Sequence, residues 1–209
     1  MTISFSGWVS KSISTIIDGN RSLPARLLRP LYLFYEGIFL SATNHYPVGT
    51  NVFEQDWDAL IILDACRVDA LAELATEYKF IGQVNSIRSV GSSSFEWMNQ
   101  TFRNRYREKI ADTAYVTQNS FHDRILGNGG ITGQAVLPIG PSQFDVVAPS
   151  DFQYIEGLWQ ANFEDGSEWK IESEVTSRVH PRYTTDRCIR AGRRIECERL
   201  IVHYMYPHD

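Results

Sequence analysis

The stretch Asp58 to Asp69, DALIILDACRVD, decides how the chain is read. Leu60 to Leu63 are four consecutive branched aliphatic residues entered through Trp57 and Asp58, the pattern of a strand buried on both faces of a parallel sheet. The run stops at Asp64. From Arg67 the period becomes helical, with Val68, Leu71 and Leu74 on one side and Glu73 facing away. Asp64 therefore falls where a strand gives way to a helix. In open α/β sheets that is the crevice where ligands bind, so a carboxylate there is a candidate metal ligand or acid/base group. The plainer reading is an N-cap, and position alone does not separate the two.

Working outward, a second segment of the same kind lies at the far end. Leu200 to Met205, LIVHYM, reads as another buried strand carrying His203, and Pro207 and His208 follow it. Residues at i and i+5 cannot both face one way along a regular strand, so His208 belongs to the next loop and is the better functional candidate. His203 reads equally as a satisfied core histidine or a functional one. The chain ends at Asp209 with no helix to cover this strand; if the sheet takes further strands after His208, an unpaired edge and a bare apolar face are expected.

Between these ends, Tyr78 to Val84 alternates as a strand would, and Thr113 to Thr117 is a short β-branched run. The loop Asn85 to Ser94, NSIRSVGSSS, precedes a helical segment from Glu96 through Phe102 and Tyr106 to about Ile110. Serines at a helix start cap it, or they present a nucleophile beside an anion-binding helix end. Neither a P-loop, a GxGxxG fingerprint nor a GxSxG elbow is present. Gly127 to Gly140 reads as an irregular excursion, and Phe152, Tyr154, Trp159 and Phe163 read as a helix laid on the sheet. Thr184 to Ile195 reads as a helix capped by Thr184, Thr185 or Asp186, with Arg190, Arg193 and Arg194 at its end.

The 209 residues, 43% hydrophobic and 22% charged, suit one α/β domain with a short appendage. A net charge of -5 without a polybasic run gives no reason to expect nucleic acid. Cys66, Cys188 and Cys197 form no CxxC spacing, so neither a disulfide framework nor a thiolate zinc site is suggested, and a reducing, cytoplasmic setting is expected. Residues 1 to 48 read as a helical extension and 49 to 209 as the main domain. Met1 to Asn20 lacks the apolar run and cleavage site of a secretory signal. Leu23 to Leu40 is interrupted by Arg26, Arg29, Pro30 and Glu36, so no transmembrane segment is expected. Leu31, Phe34, Tyr35, Ile38 and Phe39 share one helical face. That face could pack on the domain's own core, which is the expected use, meet another subunit, or touch a membrane surface.

Four segments in order, WDALIILDACRVDAL, GSSSFEW, TAYVTQN and ERLIVHYMYPHD, resemble the N-terminal part of the archaeal sulfatase-like proteins of the alkaline phosphatase superfamily. Those relatives read WDxLIxLDACRxD, GSxTPEW, AYVTGNP and IVHYMQPHxPY. The resemblance covers about residues 49 to 209, and the motifs are specific only together. It implies an α/β fold, a three-layer α/β/α sandwich around a mainly parallel sheet, with a metal-dependent site for phosphate or sulfate esters at the strand ends.

By matching position, the resemblance makes Asp64 a ligand of a divalent metal (zinc, manganese, magnesium or calcium) and Ser94 the nucleophile. It also makes His208, with His203, a contact for the substrate anion. Arg67 and Asp69 become supporting or structural residues. Ser94 stands where threonine is usual and Phe95 where proline is usual, so Ser92 or Ser93 are alternates. No CxPxR or SxPxR sequence surrounds a nucleophile, which disfavours formylglycine chemistry. The family's downstream Asp-His ligands are absent, so the resemblance is to a truncated domain and this chain alone is expected to turn over little or no ester. The alternative is a degenerate, non-catalytic domain that binds an anion or a protein partner.

Overall fold

The structure is a computed structural model that describes residues 2–17, 22–46, 48–129, 136–141, 144–161, 170–171 and 178–206. Strand β1 (Thr2–Ile3) leads into helices α1 (Phe5–Ile17) and α2 (Leu23–His45). The main unit then runs β2 (Ala59–Leu63), α3 (Val68–Ala75), α4 (Ser94–Thr101), α5 (Arg107–Ala111), β3 (Thr113–Thr117), α6 (Phe121–Leu126) and β4 (Val136–Leu137). It continues through β5 (Tyr154–Gly157), β6 (Lys170–Ile171), β7 (Arg178–Val179), α7 (Pro181–Arg194) and β8 (Arg199–Tyr204).

The central sheet has the order β2-β8-β3-β5 and every pairing is parallel. Parallel neighbours need crossovers, and the helices between the strands supply them. The chain is thus a mixed α/β protein built on a parallel sheet. Alternation then sorts side chains onto two faces. Leu60, Ile62, Tyr115, Ile155 and Ile201 join the larger core with Phe95, Met98 and Phe102. Val116, Leu158 and Leu200 face the other way and pack with Val179, Ala191 and Ile195, so α7 lies over that side. Among the described residues, the aliphatic strand β2 is an edge strand.

Several expectations change here. Strand β2 is half-buried on one face and open on the other: Leu60 and Ile62 pack partly against the core, whereas Ile61 is 63% and Leu63 41% exposed, because α7 packs on β3 and β8 instead. The last strand is no edge; β8 is inserted between β2 and β3. Residues 78 to 84 form no strand, having found no partner to pair with, and Phe80 is left exposed. The aromatic segment expected as a helix is instead β5, paired with β3 through Ala114↔Tyr154 to Thr117↔Gly157; Phe163 lies outside the described residues. The helix after the serine loop ends at Thr101, and the backbone then turns through Asn104–Tyr106 into α5. Helix α7 begins at Pro181, and His180 caps it by accepting the amide of Arg182.

The expected packing of the α2 face also reverses. Leu33, Gly37, Leu40 and Thr43 are the docked side, whereas Leu31, Tyr35 and Ile38 point outward. Gly37 is dictated by contact: a Cβ there would stand 2.3 Å from the carbonyl oxygen of Ile139. The C-terminal end of α2 is tied to the segment ending α4 by buried polar groups. Gln100 donates its side-chain amide to Thr43 O at 3.1 Å, and Arg103 donates to both Asn44 oxygens at 2.6 Å.

Candidate functional site

The parallel strands end side by side, with Leu63 opposite Tyr204 and His203 opposite Thr117. The ladder runs one residue further, where the Asp64 amide donates to Tyr204 O at 3.1 Å. Ala65 then turns away with φ of 56°, the left-handed region that costs a non-glycine residue about 1–2 kcal/mol. Asp64 is thereby fixed at the mouth of the strands with its side chain 18% exposed.

Each of the three consecutive serines has its own task. Ser92 donates both its amide and its hydroxyl to Glu96 Oε2, each at 2.9 Å. Ser93 is the N-cap of α4, its Oγ accepting the Glu96 amide at 3.3 Å. Ser94, the first residue of the helix, donates its hydroxyl to Asp64 Oδ2 at 3.2 Å. The loop reaches this shape because Gly91 lies against the helix start, where a Cβ would be 2.3 Å from the Trp97 nitrogen. Capping and a hydroxyl aimed at a carboxylate therefore coexist, on neighbouring residues.

Two further groups converge on the same oxygen. Asn119, just beyond β3, accepts the Phe121 amide with Oδ1 at 2.9 Å and turns Nδ2 to Asp64 Oδ2 at 3.4 Å. His203 is 2% exposed and places Nε2 3.6 Å from that oxygen. Its Nδ1 lies 3.1 Å from the Tyr115 hydroxyl. Burial pushes the Tyr115 hydroxyl well above the ordinary tyrosine range, so it stays protonated. Trp97 completes the wall, its ring 6.0 Å from the imidazole and nearly edge-on.

Of the residues expected from sequence, the structure brings Asp64, Ser94 and His203 together. Ser92 and Ser93 are engaged within the loop, and His208 lies outside the described residues. Arg67 and Asp69 pair with each other at the surface, with Arg67 Nε donating to Asp69 Oδ1 at 3.0 Å. Asn119 and Tyr115 were missed. For Asn119 a signal existed, because it follows the third strand as Asp64 follows the first. For Tyr115 there was none, since its role depends on His203 of a neighbouring strand.

Asp64 suits an anionic ligand of a hard divalent cation, and Ser94 Oγ and His203 Nε2 stand beside it. Among the described residues, however, no group of three or more His, Cys, Asp or Glu side chains could hold a metal ion. The described residues by themselves make no metal centre. A cavity of about 510 Å³ lined by Asp56, Trp57, Asp58, Glu198 and Arg199 opens at the opposite ends of β2 and β8, away from Asp64.

Comparison with known protein families, curated proteins and solved structures finds no match. What the fold and the strand-end cluster define is a class: a mixed α/β protein with a parallel sheet and a polar cluster at the carboxyl ends of its strands.

Proposed function

We propose that this chain carries a site for phosphoryl or sulfuryl transfer of the sulfatase and alkaline phosphatase superfamily type, with an alkaline-phosphatase-like α/β/α arrangement around it. Its substrates would be phosphate or sulfate esters, such as those of surface glycans or lipids. The observation that carries this reading is the Ser94 hydroxyl 3.2 Å from Asp64 Oδ2, two residues thirty positions apart in sequence. A hydroxyl hydrogen-bonded to a carboxylate at a helix start is a built nucleophile. As its oxygen attacks the phosphorus or sulfur, the hydroxyl proton is lost to solvent, and Asp64, which accepts the Ser94 hydrogen bond, orients the attacking oxygen. The positive end of α4 favours the negative charge that gathers on the anion. The departing alkoxide is protonated by solvent, and water then releases the group from Ser94. His203, held by Tyr115, keeps Asp64 oriented. A divalent cation bound at Asp64 would supply neutralisation of the anion's oxygens, with the remaining ligands coming from outside the described residues. The three cysteines are free, in keeping with a reducing, cytoplasmic setting.

The test is hydrolysis of p-nitrophenyl phosphate and p-nitrophenyl sulfate by the folded chain with zinc, manganese, magnesium or calcium added in turn. The parent's turnover is expected to be small, and what there is should be lost in Ser94→Ala and Asp64→Ala and kept in Ser92→Ala. An undiminished rate in Ser94→Ala sinks the proposal. A folded chain that binds inorganic phosphate yet leaves both esters intact is instead a non-catalytic anion-binding domain.

A further inference from the structure

Helix α2 holds 23 residues, about 34 Å of helix, and only one side of it docks on the protein. Stepping ~100° per residue, the arc from Leu23 round to Tyr32 covers about half the circumference. No charged residue falls on that arc. Its side chains lie open: Leu28 is 60%, Leu31 66%, Tyr35 62% and Ile38 48% exposed. The charged Arg29 and Glu36 sit outside the arc, toward the docked side. Helix α1 repeats the pattern, with Phe5, Ile13 and Ile17 exposed.

Such a face needs an occupant. The seam between two packed helices is a narrow stripe, whereas half a circumference of leucine, isoleucine and aromatic residues suits burial in a continuous apolar medium. The charge distribution points the same way. Residues 1 to 45 carry Lys11, Arg21, Arg26 and Arg29 against Asp18 and Glu36, while the whole chain is at -5. The helical pair is therefore the cationic end of an acidic protein, complementary to an anionic surface. Tyr32 and Tyr35 join an apolar ring to a polar tip, as residues at a headgroup boundary do. No helix among the described residues is long and apolar enough to cross a membrane.

We infer that α1 and α2 dock the protein on an anionic lipid surface, with α2 lying in the plane of the interface and its Leu31–Ile38 side in the acyl boundary. The active cluster is not needed for this.

The test is co-sedimentation of the full chain with vesicles of one part phosphatidylglycerol to two parts phosphatidylcholine, against phosphatidylcholine alone. Binding is expected to the anionic vesicles, to weaken in high salt, and to fall more than about tenfold in Leu31→Glu/Ile38→Glu. Those side chains are exposed, so circular dichroism should show an unchanged fold; if it does not, Leu31→Ser/Ile38→Ser replaces the pair. Ser94→Ala should bind as the parent does, which separates this inference from the catalytic one. A monomer that ignores vesicles overturns the inference. So does a dimer, seen by analytical ultracentrifugation, that the same double substitution dissociates, because the face would then belong to a second copy.

Discussion

Helices α3 and α4 both hold eight residues and both start near Asp64, yet α3 buries no side chain and α4 buries six. By sequence the ranking should be reversed. Helix α3 has the cleaner amphipathic stripe, whereas α4 carries Asn99, Gln100 and Thr101 into the interior. The difference lies in how each start is held. Arg67 offers α3 no side-chain cap, and the backbone approaches it through the left-handed Ala65. Helix α4 is pinned by Ser93, by the Ser92–Glu96 bonds and by the close approach at Gly91. Its polar side chains are matched only in part: Asn99 donates to Phe95 O at 2.9 Å and Gln100 to Thr43 O at 3.1 Å, and Asn51 donates to the Gln100 carbonyl at 3.0 Å, while Asn99 Oδ1, Gln100 Oε1 and Thr101 Oγ1 are buried without a hydrogen-bond partner. Burial follows anchoring of the helix start as much as hydrophobic pattern.

The largest test of that contrast is a pair of truncations. Met98 in α4 has no solvent exposure, so Met98→Ala should cost about 2–5 kcal/mol in urea unfolding. Leu74 in α3 is 46% exposed, and Leu74→Ala should stay within about 1 kcal/mol. Equal losses would remove the distinction between the helices.

Next comes Gly91→Ala. Its Cβ would press on backbone, which cannot swing aside as a side chain can, so a cost of about 1–3 kcal/mol is expected. Ser94 should also shift from Asp64, so the same variant should slow any ester hydrolysis. A variant as stable as the parent would show that the helix start is not fixed there.

Smaller and more specific is the comparison of adjacent serines. Ser93→Ala should cost about 1 kcal/mol through loss of the cap, while Ser94→Ala should change stability by no more than about 0.5 kcal/mol. If Ser94 controls stability and Ser93 does not, the two roles have been exchanged.

The smallest effect belongs to α3. The Arg67 guanidinium holds the Asp69 carboxyl below the usual carboxylate range. A contribution of that sign is present above the unfolded pKa and fades as pH falls through the lowered folded value. Both side chains are open to solvent, at 79% and 62% exposure, and solvent screens the pair. Asp69→Asn should therefore melt with the parent at neutral and at acid pH. A clear separation at neutral pH that closes on acidification would mean that α3 is anchored after all.

Much of the frame was legible. Runs of branched aliphatic residues mark β2 and β8 because few other conformations satisfy so many stiff apolar side chains. β3 was found by the same reasoning. What failed was β structure that depends on a partner. Tyr78 to Val84 alternates but pairs with nothing, and Tyr154 to Gly157, read as part of a helix laid on the sheet, pairs into it instead, because β3 offers it an edge. At the site, Asp64 and Ser94 could be read from junctions between local patterns. Asn119 could have been read in the same way, whereas Tyr115 acquires its meaning only across the β3–β8 pairing.

The sequence by itself determined where the chain is strand or helix near Asp64, and that a carboxylate and a run of serines stand at helix starts. Those properties depend on neighbours a few residues apart. Only the tertiary structure decided that β8 enters between β2 and β3, that Ser94 and not its neighbours meets Asp64, and that α2 turns its richest apolar face outward. Pairing order, hydroxyl direction and helix rotation are set by contacts between distant segments, which no local pattern encodes.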